Sequence, residues 1–360
     1  MPDPGQPRTD PQDSRKYKVF DAQVHYVPSE VFRKVDETVF ESKEGRDLQE
    51  KNREPENKNK PATQRLQSIE THLRHMEECG VDMSVIMMPG WEVAGVEVCR
   101  ILNNGLAKAA KDYPGRFFPL AAVPYIEGQR SIDELVRVKN ELGINAVSIL
   151  TNLRGIRLDD EQLKPFFKKV LELGLPVVVH PPTQERHLWG GTKYDMDGSV
   201  SREYEIIKCL VEVLCGVLPE FPELNFLFAH YGGGVPSLLG RIMSWYTPPE
   251  CSGIPKRKIH LPMTLQEFED YGFKSYFDRL FDRFYFDTAG TGGWLPEVKH
   301  ALSVIKPERL AFASDYPHEM SRPQDYRAYL DGIKELDIPE EEKAGILGVN
   351  MRALFKISSM

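Results

Sequence analysis

Apolar residues in this chain fall into short, nearly continuous runs, each followed by a stretch with helical spacing. The runs occupy 18–26 (KVFDAQVHY), 82–89, 117–125, 144–152, 176–182 (PVVVHPP), 225–232, 283–290 and 309–317 (RLAFASDYP). Runs of this kind suit strands buried on both faces, as a parallel sheet requires. Helical spacing fills 64–79, 96–113, 131–143, 159–174, 203–216, 295–305 and 323–336. In the first of these, Leu66, Ile69, Leu73 and Met76 share one face, and Gly80 marks the helix end. Eight strands alternating with helices predict an α/β fold, a (β/α)8 TIM barrel formed as one domain over residues 18–360. An open doubly wound sheet is the alternative. Residues 1–17, polar and proline-rich, read as a flexible arm that buries too little apolar surface to offset its ordering entropy.

Long connections follow strands 1, 5 and 6, at 30–63, 183–201 and 246–282. In a barrel such connections rise on the face where active sites are built. The charged segment 30–63 reads as a mobile lid or a solvated stretch, and 183–201 as a lid or substrate pocket. Trp91, Trp189, Trp245 and Trp294 lie shortly after strand ends or in these loops. With Tyr26 and Tyr316 they would wall a sizeable, partly apolar substrate.

Composition narrows the function classes. A net charge of -8 gives no basic footprint for nucleic acid. No apolar run approaches the ~18 residues needed to cross a bilayer, and no apolar stretch at the N-terminus suggests a secretory signal. Five widely spaced cysteines contain no C-x-x-C pair, so they read as small buried hydrophobes in a reducing cytoplasm.

The chemistry concentrates at strand ends, where Asp21, Gln23 and His25, then His180, His230 and Asp315 occur. A lone strand-end histidine is ordinarily structural. Several at the C-terminal ends of barrel strands occupy the position where catalytic groups assemble. Imidazoles and a carboxylate suit a borderline divalent metal with a place left open for water. His72, His75, His187, His260 and His300 lie away from the strand ends and read as structural or exposed. Gly232, Gly233 and Gly234 permit a tight turn and are not a phosphate loop, since no G-K-[ST] follows.

The segments DAQVH, VVVHPP, FAHYGGGVPSLLGR and ASDYPHE, with the tail EEEKAGILGVNMRALFKI at 340–357, resemble one known group. It is the metal-dependent hydrolase and decarboxylase branch of the amidohydrolase superfamily, of the aminocarboxymuconate semialdehyde decarboxylase-like type. The resemblance runs from residue 18 to the end. It implies His25, His180 and Asp315 as metal ligands and His230 as the proton-handling histidine, with Asp315 sharing that catalytic role. Where the family has H-x-H on strand 1, this chain has Gln23-Val24-His25, so Gln23 would supply an amide oxygen or a hydrogen bond. Thr151 ends strand 4 where some relatives carry a bridging lysine carbamate, which implies one metal rather than two. The expected ion is zinc, with manganese or iron(II) as alternatives.

Arg241, in the G-G-x-x-P…R segment, would hold a substrate carboxylate or face a homodimer partner. His318 and Trp189 complete the expected substrate contacts. The leading expectation is a mononuclear metal-dependent hydrolase whose activated water attacks a carbonyl of a small metabolite. Behind it stand a non-oxidative decarboxylase of an aromatic or unsaturated acid and, from the two-histidine, one-carboxylate set, a non-haem iron oxygenase.

Overall fold

The computed structural model describes residues 16–182, 194, 196–246 and 281–357. Its eight barrel strands are β1 (Phe20–Asp21), β2 (Met83–Ile86), β3 in two pieces (Phe117–Pro119 and Ala121–Ala122), β4 (Val147–Leu150), β5 (Val177–His180), β6 (Phe226–Phe228), β7 (Phe284–Asp287) and β8 (Leu310–Ala311). All adjacent pairs are parallel. β1 pairs with β2, and β2 with the first piece of β3. The second piece of β3 pairs with β4, and the ladder continues through β5, β6 and β7 to β8. The ring closes where Ala22 N donates to Phe312 O at 2.9 Å and a parallel bridge joins Val24 to Tyr316. The chain is therefore a (β/α)8 barrel, with each strand inside a run marked out by the apolar pattern.

Side chains alternate across each strand. Phe20, Met83, Val85, Phe118, Val178 and Leu227 fill the barrel interior. Phe355, from the C-terminal helical segment, stacks on Phe118 with ring centroids 4.5 Å apart and plugs the lower end. On β5, His180 follows Val178 at the same parity and opens onto the other end. Asp21 ties β1 to β8: its carboxylate accepts Ser314 Oγ at 2.5 Å, Tyr326 OH at 2.7 Å, Ser314 N at 3.0 Å and Gln23 N at 3.2 Å. Burial pushes this carboxyl up to about 6, and the four donors oppose a further rise.

The segment at 30–63 departs from expectation. It folds into helices at Ser29–Glu37, Lys43–Arg53, Pro55–Lys58 and Pro61–Gln67; Val31, Val35 and Leu48 are buried from the helices and Phe40 from the connection between the first two. Local bonds compensate for its charged sequence. Ser42 Oγ caps the second helix through Gly45 N at 3.2 Å, and Gln49 Nε2 donates to the carbonyls of Val35, Asp36 and Thr38 at the end of the first. Phe32 packs edge-on against Trp91, which is buried rather than free to wall a pocket.

Tyr26 and Tyr316 are also buried, with His72 between them at 5.1 and 4.9 Å and His75 stacked on Tyr316 at 4.1 Å. Both tyrosines therefore belong to the core, together with the two structural histidines. Trp294 is 65% exposed. Trp189, His187 and His260 lie outside the described residues, as does the side chain of Trp245. Cys79, Cys99 and Cys209 are free and buried, as expected, whereas Cys215 is free but only half-buried, and Cys251 lies outside the described residues. The arm is shorter than expected at its inner end: Lys16 pairs with Glu340 at 2.8 Å, and buried Tyr17 bonds the same carboxylate. Among the described residues, no helix is long and apolar enough to cross a membrane.

Candidate metal centre and active site

The strand-end residues singled out by the sequence meet at one end of the barrel. Asp315 N donates to Gln23 O at 3.1 Å, and His25 N to Tyr316 O at 2.8 Å, which sets β1 against the segment after β8. His25 Nε2 then lies 2.6 Å from Asp315 Oδ1. The His25 ring stands 5.3 Å from His180, and His180 stands 5.5 Å from His230. All four side chains are buried, and so is Gln23.

Backbone geometry supports this convergence. His230 and Asp315 both hold left-handed φ angles, 55° and 54°. Such conformations are costly for residues with a Cβ and persist where the surroundings enforce them, often at functional sites. The left-handed course continues through Gly234. At Gly233 a Cβ would lie 2.1 Å from the Glu203 carbonyl oxygen, so only glycine lets the helix Arg202–Glu212 come this close. At Gly290 a Cβ would strike the His230 ring at 2.5 Å.

The polar accounting separates this cluster from ordinary buried groups. His180 Nδ1–H donates to Pro181 O at 2.9 Å, which directs its Nε2 lone pair inward. That Nε2, together with Gln23 Oε1, His25 Nδ1 and Asp315 Oδ1, is buried without an aligned hydrogen bond, Asp315 Oδ1 meeting only His25 Nε2 at 2.6 Å. Unsatisfied buried polar atoms are rare in folded proteins, and here four lie in one cluster. Two imidazoles and a carboxylate with open donor atoms form a set suited to a divalent ion. Among the described residues no three such side chains are already drawn into a metal-holding group, so an ion would have to gather His180 onto the His25–Asp315 pair.

Charge follows the same geometry. Burial opposes ionisation of Asp315, but the positive field of His25 and its neighbours outweighs it and holds the carboxyl well below the usual range. Burial and the neighbouring His25 keep His180 neutral, the form that ligates metal. His230 is the opposite case: burial disfavours its charge, yet Glu203 Oε1 at 2.9 Å from Nδ1 raises it to about 9. Asp287 Oδ1 holds the His230 backbone N–H at 2.8 Å.

Glu203 and Asp287 are site residues that the sequence did not single out. Asp287 ends a strand run, a position that could have drawn attention to it. Glu203 looks like any acid in the first turn of a helix. Of the expected substrate contacts, His318 is exposed with its ring 4.9 Å from His25, so it belongs to the cluster. Arg241 is exposed on the helix His230–Tyr246, and Trp189 lies outside the described residues.

The amidohydrolase family model matches residues 20–357. The chain belongs to the amidohydrolase family. Among relatives of this amidohydrolase, gamma-resorcylate decarboxylase from Rhizobium sp. is 25% identical over 80% of this chain and 87% of that one. The 2-amino-3-carboxymuconate-6-semialdehyde decarboxylase of Dictyostelium discoideum is 31% identical, but that match spans only 41% of each chain, under half the relative's length. The crystal structure of 5-carboxyvanillate decarboxylase from Novosphingobium aromaticivorans superposes with a TM-score of 0.75 at 21% identity. It covers 96% of this chain and 97% of that one, and it contains manganese and 4-hydroxy-3-methoxy-5-nitrobenzoic acid. This likeness establishes the barrel. The amidohydrolase is thus an enzyme, and the three similar proteins named here are decarboxylases, which favours the second of the expected reactions over hydrolysis. The metal in that solved structure is manganese, where zinc headed the expectation.

Proposed function

We propose that this amidohydrolase is a metal-dependent, non-oxidative decarboxylase of an aromatic or unsaturated hydroxy acid. His25, His180 and Asp315 would hold one divalent ion, manganese before zinc. When bound, that ion supplies Lewis-acid charge that fixes the substrate's oxygens and stabilises negative charge developing on them.

The observation that carries the reading is the Glu203–His230 pair at 2.9 Å. A carboxylate on Nδ1 stabilises the imidazolium, so at neutral pH His230 Nε2 holds a proton to give. Metal-assisted hydrolysis calls for a base at this position, whereas decarboxylation calls for an acid. His230 would deliver its Nε2 proton to the substrate carbon that bears the carboxylate. The carbon–carboxylate bond then breaks, its electron pair returns to the ring or double bond, and carbon dioxide leaves. No electrons enter or leave the substrate overall. Asp315, ionised throughout, serves as ligand and counter-charge and not as the acid.

Gln23 Nε2 lies 3.2 Å from His230 Nε2, and its Oε1 has no partner. Rotating the amide by half a turn places the oxygen where a protonated His230 can donate to it, which resolves both facts. Gln23 would therefore steer His230 rather than bind the metal.

The test is anaerobic incubation of manganese-loaded enzyme with 2,6-dihydroxybenzoate and related hydroxy acids in deuterated water. The expected result is carbon dioxide matched by a product with one deuterium at the vacated carbon. Turnover that consumes oxygen, or activity on amides or lactones without carbon dioxide release, would overturn the reading in favour of oxygenation or hydrolysis respectively.

A further inference from the structure

The loop after β7, residues 288–294, touches His230 directly. Gly290 lies so close to the imidazole that a Cβ there would meet its Cγ at 2.5 Å. The start of the loop is fixed by Asp287, whose Oδ1 accepts both His230 N at 2.8 Å and Ala289 N at 3.1 Å. Packing does less for the rest. Gly292 and Trp294 are exposed, and a cavity of about 400 Å³ beside the loop is lined by Gly292, Gly293, Leu295, Met320 and Tyr329, among others. Gly290, Gly292 and Gly293 hold left-handed φ angles of 79°, 58° and 79°. A glycine-rich, half-covered loop has wide conformational choice and few buried contacts, so by itself it would support the ring poorly.

Glu319 supplies the missing restraint. Its Oε2 accepts Gly292 N at 2.9 Å, and the Gly290 backbone N–H bears on the same carboxylate. Glu319 is placed in turn by Asp315, whose carbonyl accepts Glu319 N at 2.9 Å and His318 N at 2.8 Å. A continuous course therefore runs from the Asp315 backbone, through one tight turn and one carboxylate, to the glycine against the His230 ring. The ladder of β7 with β6 and β8 forms without any of these bonds.

We propose that Glu319 is a positioning residue: it pins the glycine loop against the His230 ring and so sets the aim of Nε2 relative to the side chains that would hold the ion. Glu319 itself touches neither the reacting atoms nor a candidate metal-binding atom. The proposal rests on the decarboxylase reading only for what His230 does with its proton, because the direction of the ring is measured separately. The restraint needs an acceptor and not a charge, since what it holds are neutral backbone N–H groups.

The experiment compares wild type with Glu319→Ala, Glu319→Gln and Gly290→Ala. Turnover and KM are measured on manganese-loaded enzyme with 2,6-dihydroxybenzoate and related hydroxy acids, and metal content on the same preparations. The His230 Nδ1–H signal is followed by NMR on metal-free enzyme carrying isotope-labelled histidine, assigned by its absence in His230→Asn. Glu319→Ala should lower kcat about ten- to a hundredfold, the scale for a misplaced catalytic group or a lost outer partner, with KM and manganese content within about twofold and the Nδ1–H signal shifted or broadened. Glu319→Gln, whose amide oxygen still accepts Gly292 N, should recover kcat to within about threefold and restore the signal. Gly290→Ala, which pushes on the ring from the loop side, should reproduce the loss without touching Glu319. An unchanged kcat and signal in Glu319→Ala overturns the proposal, as does a glutamine variant as impaired as the alanine one or a loss traced to missing metal. If wild type releases carbon dioxide and Glu319→Ala matches it with an unmoved signal, the positioning role fails and the decarboxylase reading stands. If no acid releases carbon dioxide while the signal moves in the alanine variant and returns in the glutamine one, the positioning role stands and the reaction assignment fails.

Discussion

Asp21 and Asp315 are two buried carboxylates on neighbouring strands of one barrel, and their environments push them in opposite directions. Asp21 accepts four hydrogen bonds that join β1 to β8, and burial still raises it to about 6. Asp315 lies against His25 with Oδ1 lacking an aligned donor, and histidine charge holds it far below the usual range. Burial is nearly the same at both, so burial alone does not separate a structural carboxylate from a functional one. The nature of the partners does. Where the polar atoms are fully met, the group holds the fold; where several open atoms face each other, the group awaits a ligand.

The largest test of that contrast is on the open side. His180→Ala removes an inward Nε2 that has no structural partner to lose. It should abolish tight manganese binding and reduce turnover at least about a thousandfold, while the thermal midpoint of the metal-free protein stays near that of wild type. Metal analysis after dialysis and a melting curve check both halves. Collapse of the apo fold would show that His180 is structural after all. Asp21→Ala is the converse. It strands four donors and should cost about 3 kcal/mol of stability, read as a lower urea midpoint, with metal stoichiometry per folded chain unchanged.

These two changes also mark how far the sequence could be read. The eight strands were legible because a strand buried on both faces leaves an apolar run that little else produces. His25, His180, His230 and Asp315 were legible because they end such runs. The segment 30–63 was not, since its helices are charged along their length and depend on a serine cap and on Gln49 bridging to another helix's carbonyls. Such tertiary bonds leave no periodic trace. Glu203 was missed for a related reason: a charge on a helix has the same local sequence whether it faces water or the barrel mouth.

Glu203→Gln sharpens the comparison at the next level, since it touches a partner of His230 and no candidate metal ligand. Glutamine keeps a hydrogen bond to Nδ1 but removes the charge that holds the imidazolium. Turnover at neutral pH should fall about ten- to a hundredfold, the range for losing a partner that orients and polarises a site histidine. The alkaline limb of the pH–rate profile should move to lower pH, because the acid form of His230 is then lost earlier. Metal content should hold. A reduced rate with an unmoved profile would leave Glu203 a packing role only.

The smallest expected effect on catalysis, and the hardest trial for the rule about open atoms, comes from Glu92. This carboxyl is fully buried in the turn Trp91–Ala94 after β2; Oε2 accepts Gly90 N at 2.7 Å, and Oε1 has no partner. One open oxygen without neighbouring open donors should mark a neutral structural acid and not a site. Burial raises it from 4.5 to about 8, so the folded protein keeps this proton where the unfolded chain has released it. Its contribution is fully present below about pH 4.5 and is lost as pH rises through about 8. Glu92→Gln, uncharged at every pH, should therefore match wild type at pH 5, exceed it in urea midpoint at pH 9, and leave turnover within about twofold. A large loss of activity in this variant would show that a single open atom beside the barrel mouth can be functional, and the contrast between Asp21 and Asp315 would then need a criterion other than clustering.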